Sequence, residues 1–500
     1  MDNALSRRRM IIIGASAAAA GLLPGTAEAE PAAPATGPSR IFDVRRYGAK
    51  GDGVAIDSGA VNRAIDAAAS PGPSGGPGGT VYVPAGTYAC YSIRLRSKVA
   101  LHLAPGATLL AAQPVDGRGY DPPEPGVGND FQDFAHSHWR NSLIWGEGLT
   151  DVTVSGPGLI DGRGLVGGRG EEDPGAGNKA IALKRCRNVR ISDLTILNGG
   201  SLAILPTGVD NLRIDNLIID TYSDGINLDC CRNVRISGFS INTPNADAIC
   251  LKSSYALDEA RATENVTIGD CLVSGYDLGT LHDGTYRTVG RHQRIGRIKF
   301  GTESVGGFRN IAISNVIFEH CRGLALQTVD GGRLEDVTIS NLTMRRVEMP
   351  IFLRLGARLS APAGTEPGRL RRIAISDVIV DGADPRYPST IAGIPGHPVE
   401  DVRLSNVRQR VTGGLGPGDV EQNPPEDGAG YPETDKFGPL PAYGFFLRHV
   451  DGITFDNVEV GFEEPDTRPA YVLRDVADAD FHHSRPVADT RLDHVDHAEL

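Results

Sequence analysis

A parallel β-helix is the fold this sequence predicts, on the strength of a returning phrase, its spacing and its choice of residues. The phrase is Asn or Asp, an aliphatic, a polar residue and another aliphatic. It reads Asn188-Val189-Arg190-Ile191, Asn211-Leu212-Arg213-Ile214, Asn233-Val234-Arg235-Ile236, Asn265-Val266-Thr267-Ile268, Asn310-Ile311-Ala312-Ile313 and Asp336-Val337-Thr338-Ile339. The first two spacings are 23 and 22 residues (211 − 188 and 233 − 211), and later ones lengthen as if loops had been inserted at one point of a repeat. Self-similarity of this period marks a solenoid. Within each repeat the pattern alternates with period two and favours Ile, Val, Leu and Thr, which suits strands. Rungs of such a stack lie about 4.8 Å apart, so equivalent positions form ladders. The Asn column is therefore expected to be structural, each side chain bonding to the next at a turn.

The elements follow in order. Ser6-Arg7-Arg8-Arg9, the apolar stretch from Ile12 to Leu23 and the small residues up to Ala29 predict a twin-arginine export signal over 1–29, cleaved near Ala29, and hence a periplasmic or secreted protein. Residues 30–40 are a Pro/Ala/Ser-rich linker, expected to be disordered. Asp57, a good N-cap, precedes an amphipathic run from Val61 to Ala69, which reads as a short helix capping the first coil. Coils then continue, giving one β-helical catalytic domain over 41–480 and a C-terminal tail over 481–500. Long interruptions at 113–142, 254–296 and 412–442 are expected to leave from one side and wall a groove.

The formal net charge is −12, and −13 once 1–29 is removed, because that segment carries three arginines and two acids (+3 − 2 = +1). This argues against nucleic acid as a partner. It does not exclude an anionic sugar polymer, since a local basic column acts within about 8 Å whatever the total charge. Nothing after the signal approaches a membrane span. Seven cysteines are too few for a disulfide framework in 500 residues, and no CxxC pair indicates zinc. His136 and His138 lack further ligands at metal spacing, so neither metal nor cofactor is expected. A capped solenoid is also expected to be stable as a monomer.

The chemistry is expected in two consecutive coils, Tyr222-Ser223-Asp224-Gly225-Ile226-Asn227-Leu228-Asp229 and Asn245-Ala246-Asp247-Ala248-Ile249-Cys250-Leu251-Lys252-Ser253. Aligning Gly225 with Ala248 stacks Asp224 under Asp247 and Asp229 under Lys252. Two carboxylates a rung apart repel, raising the pKa of one and leaving the other ionised, the condition for dividing acid and base roles at a glycosidic bond.

With Ser223-Asp224-Gly225-Ile226, Asp247-Ala248-Ile249-Cys250-Leu251-Lys252-Ser253, Gly301-Thr302-Glu303-Ser304-Val305-Gly306-Gly307 and Arg322-Gly323-Leu324 in this order, the chain resembles the polygalacturonase-type glycoside hydrolases over roughly 41–475. Tyr47-Gly48-Ala49-Lys50-Gly51-Asp52-Gly53 and Gly158-Leu159-Ile160-Asp161-Gly162 resemble that family too. The resemblance implies a right-handed parallel β-helix, hydrolysis of pectin-type, uronate-containing polysaccharides or oligosaccharides, and inversion of configuration. It also exposes departures. Ala246 stands at the position to which the family commonly assigns its general acid. The family's Gly-His-Gly falls near Ile295, with His292 close by, and its Arg-Ile-Lys substrate grip becomes Ala325-Leu326-Gln327.

Columns suggest compensation. Lys299 aligns with Cys250 and Ala325, and Arg354 aligns with Gln327 one coil on. Asp224, Asp247 and Glu303 are therefore the candidate catalytic carboxylates, with Glu303 or Asp247 as proton donor and the other activating water. Lys252, Lys299, Arg354, Asp229 and Gln327 are the candidate substrate contacts. The insertions favour exo action. Two other readings stand beside hydrolysis: a β-helix lyase using Lys252 or Lys299 as base with calcium held by the carboxylates, and a carbohydrate-binding β-helix without catalysis.

Overall fold

The computed structural model describes residues 40–72, 76–115, 117–126, 131–166, 177–288 and 294–499. The expected export signal and linker, and His292, lie outside them. Arg40–Leu500 form one compact unit of stacked parallel strands. Strands that carry the site are β1 (Leu202–Thr207), β2 (Asp224–Asp229), β3 (Ile249–Ser253), β4 (Ile298–Ser304), β5 (Leu324–Thr328) and β6 (Ile351–Leu355). Each pairs in parallel with the next. Their inward column runs Ile226, Ile249, Ile298, Leu324 and Ile351, in register and buried. Every rung thus removes an aliphatic side chain from water, worth about 1.5–3 kcal/mol each relative to exposure.

The Asn column behaves as expected. Asn211 donates to Asn188 at 2.9 Å, Asn233 to Asn211 at 3.3 Å, Asn265 to Asn233 at 3.1 Å and Asn310 to Asn265 at 3.2 Å. Each of these residues sits at φ 56 or 57, in the left-handed region that Asn tolerates better than most non-glycine residues. The repeated residue is chosen by the turn as well as by the ladder.

A helix, α1 (Ser58–Ala69), covers the first coil with Val61, Ala64, Ile65 and Ala68 buried beneath it. Asp57 precedes it but does not cap it. Its carboxylate accepts instead from the backbone N–H groups of Lys50 at 2.7 Å and Gly51 at 2.9 Å, tying the preceding loop to the helix start. At the other end, residues expected as a tail continue the stack: Thr490–Val495 and Ala498–Glu499 pair with the strand Tyr471–His482. All seven cysteines are buried and unpaired.

Candidate active site

Asp224 opens β2 where the chain leaves a turn. The next residue, Gly225, donates to the Asp247 carbonyl at 3.0 Å, and a Cβ at 225 would come within 2.6 Å of the Ala248 carbonyl oxygen. Only glycine lets the two coils approach this closely. The Asp247 backbone N–H donates to Asp224 Oδ1 at 3.0 Å, and the Asn227 amide donates to Asp224 Oδ2 at 2.9 Å. One carboxylate oxygen from each aspartate and the Cys250 sulfur lie within 4.8 Å of one another.

The two carboxyls experience opposite fields. Burial, and then the charge of Asp247, push the Asp224 carboxyl above the usual carboxylate range. Burial also works against charge on Asp247, but Arg297 and then Lys299 outweigh it and hold that carboxylate below the range. Arg297 Nε donates to Asp247 at 2.6 Å, and Lys299 Nζ lies 3.7 Å from its other oxygen. The two neighbouring carboxyls are thus pushed in opposite directions, the condition for dividing acid and base roles. A divalent cation would find poor donors here: Asp247 is engaged by Arg297, and burial pushes the Cys250 thiol well above its ordinary value.

The cations are themselves claimed by a carboxylate from far along the chain. Glu433, in the 412–442 insertion, accepts from Arg297 at 2.5 and 2.8 Å and from Arg322 at 2.7 Å, and lies 3.8 Å from Lys299. Tyr431 accepts from Lys299 at 2.9 Å. Above the aspartate pair opens a cavity of about 570 Å³. All three long interruptions reach it, through Asp133 and Ala135, through Ile295, and through Tyr431, Glu433, Asp435 and Lys436. A hollow of about 610 Å³ lies against the turns at 345–348 and 381–386 and is lined by four arginines and four acidic residues.

Residues 128–276 match the family described as Glycosyl hydrolases family 28, and residues 41–117 match Rhamnogalacturonase A/epimerase, pectate lyase-like. A probable polygalacturonase of Vitis vinifera is 26% identical over 381 residues, 72% of this chain and 72% of that protein. The chain is thus similar to the polygalacturonase-type glycoside hydrolases. The exo-poly-alpha-D-galacturonosidase of Dickeya chrysanthemi is 25% identical over 47% of the chain and 38% of its own length. Among solved structures, the Yersinia enterocolitica family 28 exopolygalacturonase superposes with a TM-score of 0.62 at 18% identity over 92% of this chain and 78% of that one. The hyperthermoactive exopolygalacturonase of Thermotoga maritima gives 0.61 at 21% over 75% and 88%. At these identities the structures speak for the fold.

Against that frame the glycoside hydrolase keeps some expected residues and redeploys others. The stacking of Asp229 on Lys252 and of Lys299 on Cys250 holds in the register. Lys252 lines the cavity and donates to Glu303 at 2.5 Å. Glu303 does not line the cavity, and although burial favours its acid form, Lys252 chiefly, with His136 and Arg358, holds its carboxyl well below the ordinary range. Asp229 is fully buried and accepts from Ser254 N and Oγ at 2.9 and 2.7 Å, so it shapes a turn rather than touching substrate. Gln327 is equally buried and donates to the Pro432 carbonyl at 2.8 Å. Arg354, 1% exposed, donates to the Gly393 and Glu426 carbonyls at 2.8 and 2.6 Å, and burial followed by Arg448 brings its guanidinium down to about 10. Lys299 reaches Asp247 and Tyr431 from below, outside the cavity lining. Gln327 and Arg354 thus pin the 412–442 insertion, as do Arg448 through Pro424 and Pro425 and Arg474 through Gln422.

Sequence reasoning missed Arg297, Asn227, Tyr431, Glu433 and Lys436. Arg297 and Lys299 flank the core residue Ile298 at a spacing of two, which places both on one face of the strand and could have revealed Arg297.

Proposed function

We propose that this protein is an exported enzyme that hydrolyses glycosidic bonds of uronate-containing pectic polysaccharides or oligosaccharides, with Asp224 as general acid and Asp247 as the ionised partner. The observation that carries the reading is a pair of adjacent carboxyls beneath a walled cavity, of which Arg297 and Lys299 reach only Asp247. Asp224 keeps its proton for the leaving-group oxygen, while Asp247, held charged by Arg297 and Lys299, attacks or activates water. One oxygen of each carboxyl lies within 4.8 Å of the other, while retaining pairs stand about 5 Å apart and inverting pairs about 6.5–9.5 Å, leaving room for a water. Inversion is what the resemblance implies, and the anomer released first decides between the two.

Lys436 is the natural contact for a substrate carboxylate. It is exposed in the cavity wall, and among the described residues its ammonium has no partner, whereas Lys252, Arg297 and Arg322 are committed to the chain's own acids. Tyr222, 62% exposed beside Asp224, offers a face on which a sugar ring can stack. Three insertions closing on one cavity favour removal of terminal residues. The arginine-rich start supports twin-arginine export, and no described helix is long and apolar enough to cross a membrane. The capped, closed stack supports a monomer.

Lysis is the less favoured chemistry, because it needs Lys252 or Lys299 as a neutral base. Despite burial, surrounding anionic groups push both ammonium groups above their ordinary value. The test is product analysis on pectic polymers and oligosaccharides, with chelator and calcium controls. New reducing ends without an unsaturated product support hydrolysis, and an unsaturated, calcium-dependent product would replace it with lysis.

A further inference from the structure

One arm of the cavity wall carries a histidine that the reaction as described does not use. His136 is 2% exposed, and its Nε2 lies 3.3 Å from Asn227 Oδ1. Its Nδ1 is buried and, among the described residues, has no partner. A bond to the amide oxygen requires the hydrogen on Nε2. The far end of the same amide donates to Asp224 Oδ2 at 2.9 Å.

An asparagine amide can sit either way round, and the two ends offer opposite chemistry to a carboxyl. With its oxygen held by His136, Asn227 turns its N–H₂ toward Asp224. With that hold removed, the amide can reverse and set its oxygen against the Asp224 oxygen. The ring is placed firmly for the purpose. Glu124 accepts from the backbone N–H groups of His138 at 2.7 Å and Trp139 at 3.0 Å, and buried Lys179 donates to the Ser137 carbonyl at 2.5 Å. Three contacts of this kind on consecutive residues fix the segment that bears the imidazole.

We propose that His136 is a positioning residue for Asp224, acting through the Asn227 amide: it sets which end of that amide faces the carboxyl and so orients the acid in the cavity. The inference rests on the reading of Asp224 as the acid. The charged groups around this chain of bonds are Asp247 and Lys252 facing Asp224, and Glu303 facing His136.

The experiment compares His136→Phe, which keeps the ring volume and loses the donor, with His136→Gln, which restores an N–H near the Nε2 position. In the full chain, kcat on a pectic oligosaccharide is expected to fall about 10- to 100-fold in His136→Phe with KM nearly unchanged, since a displaced catalytic group costs on that scale. His136→Gln is expected to recover most of the loss. A carboxyl ¹³C titration of both variants and the parent protein reads the same contact without substrate. Loss of the Asn227 N–H bond should move the Asp224 midpoint upward in His136→Phe and leave it in place in His136→Gln. Equal kinetics and equal titrations in all three proteins would overturn the proposal, as would an equal loss in both variants. If no pectic substrate is turned over, the reading of the reaction fails, while the titration still decides the role of His136. If His136→Phe does not fold, Asn227→Leu takes its place, with the same expected rise in the Asp224 midpoint.

Discussion

Two columns of this molecule run along the same stack and could hardly be organised more differently. At the asparagine turn five rungs, from Asn188 to Asn310, repeat one residue at φ 56 or 57, and each after the first donates to the rung before it. Beside the aspartate pair the rungs change identity, Asp224 and Asp247 giving way to Gly296 with Arg297 next to it, and the partners of these charges arrive from as far as 136 residues away, as Glu433 does for Arg297. A column that repeats bonds to itself and serves the fold. One that breaks its repeat leaves charges that must be met from elsewhere, and the cavity forms where they are met.

The largest effect should come from breaking the non-repeating column at its centre. Asp247→Asn is expected to lower kcat by about 10²–10⁴-fold, the usual worth of a positioned acid or base, while the variant still binds oligosaccharide. Steady-state kinetics with a binding isotherm on the same variant check it, and turnover within a few-fold of the parent protein would remove Asp247 from the chemistry.

Next comes the brace. Glu433→Gln leaves Arg297, Arg322 and Lys299 facing one another without their shared carboxylate, and urea unfolding should show a loss of about 3 kcal/mol. The same group predicts a pH response. Burial opposes charge on Glu433, but Arg297 chiefly holds it ionised, well below its ordinary value of 4.5. Its stabilisation is therefore fully present above pH 4.5 and fades as pH falls below it. The acid-side fall of the unfolding midpoint should be shallower in Glu433→Gln than in the parent protein.

Lys436→Ala should raise KM for a uronate oligomer about tenfold with kcat little changed, equivalent to roughly 1.4 kcal/mol of binding. An unchanged KM would mean that the substrate carboxylate is met elsewhere. The smallest effect belongs to the repeating column: Asn233→Ala should cost about 1 kcal/mol, from a ladder bond and a left-handed backbone angle, and leave kcat untouched.

This contrast also explains what could be read in the sequence. Strand order, the asparagine ladder and the stacking of Asp224 and Asp247 follow from a period that the chain repeats, so they are legible. Even the rung partners of Lys299 and Gln327 were placed correctly by register. Their tasks were not, because a column gives position along the stack without the insertion that covers it. Arg354 and Gln327 look like an exposed grip until residues 412–442 are laid over them. Tyr431, Glu433 and Lys436 lie in a Gly/Pro-rich stretch with no period, so nothing in their spacing announces which strand they meet. The sequence leaves Glu303 and Asp247 equal as candidate donors, and it gives no sign of the two cations, Lys252 and Arg358, that meet Glu303 in the fold.

The central claim is that adjacent carboxyls in the cavity are pushed in opposite directions because Arg297 and Lys299 reach only one of them. Carboxyl ¹³C titration of the parent protein reads both at once. The account predicts that Asp224 loses its proton above the usual carboxylate range and Asp247 below it. Two midpoints inside the ordinary range, or the reverse order, would contradict it.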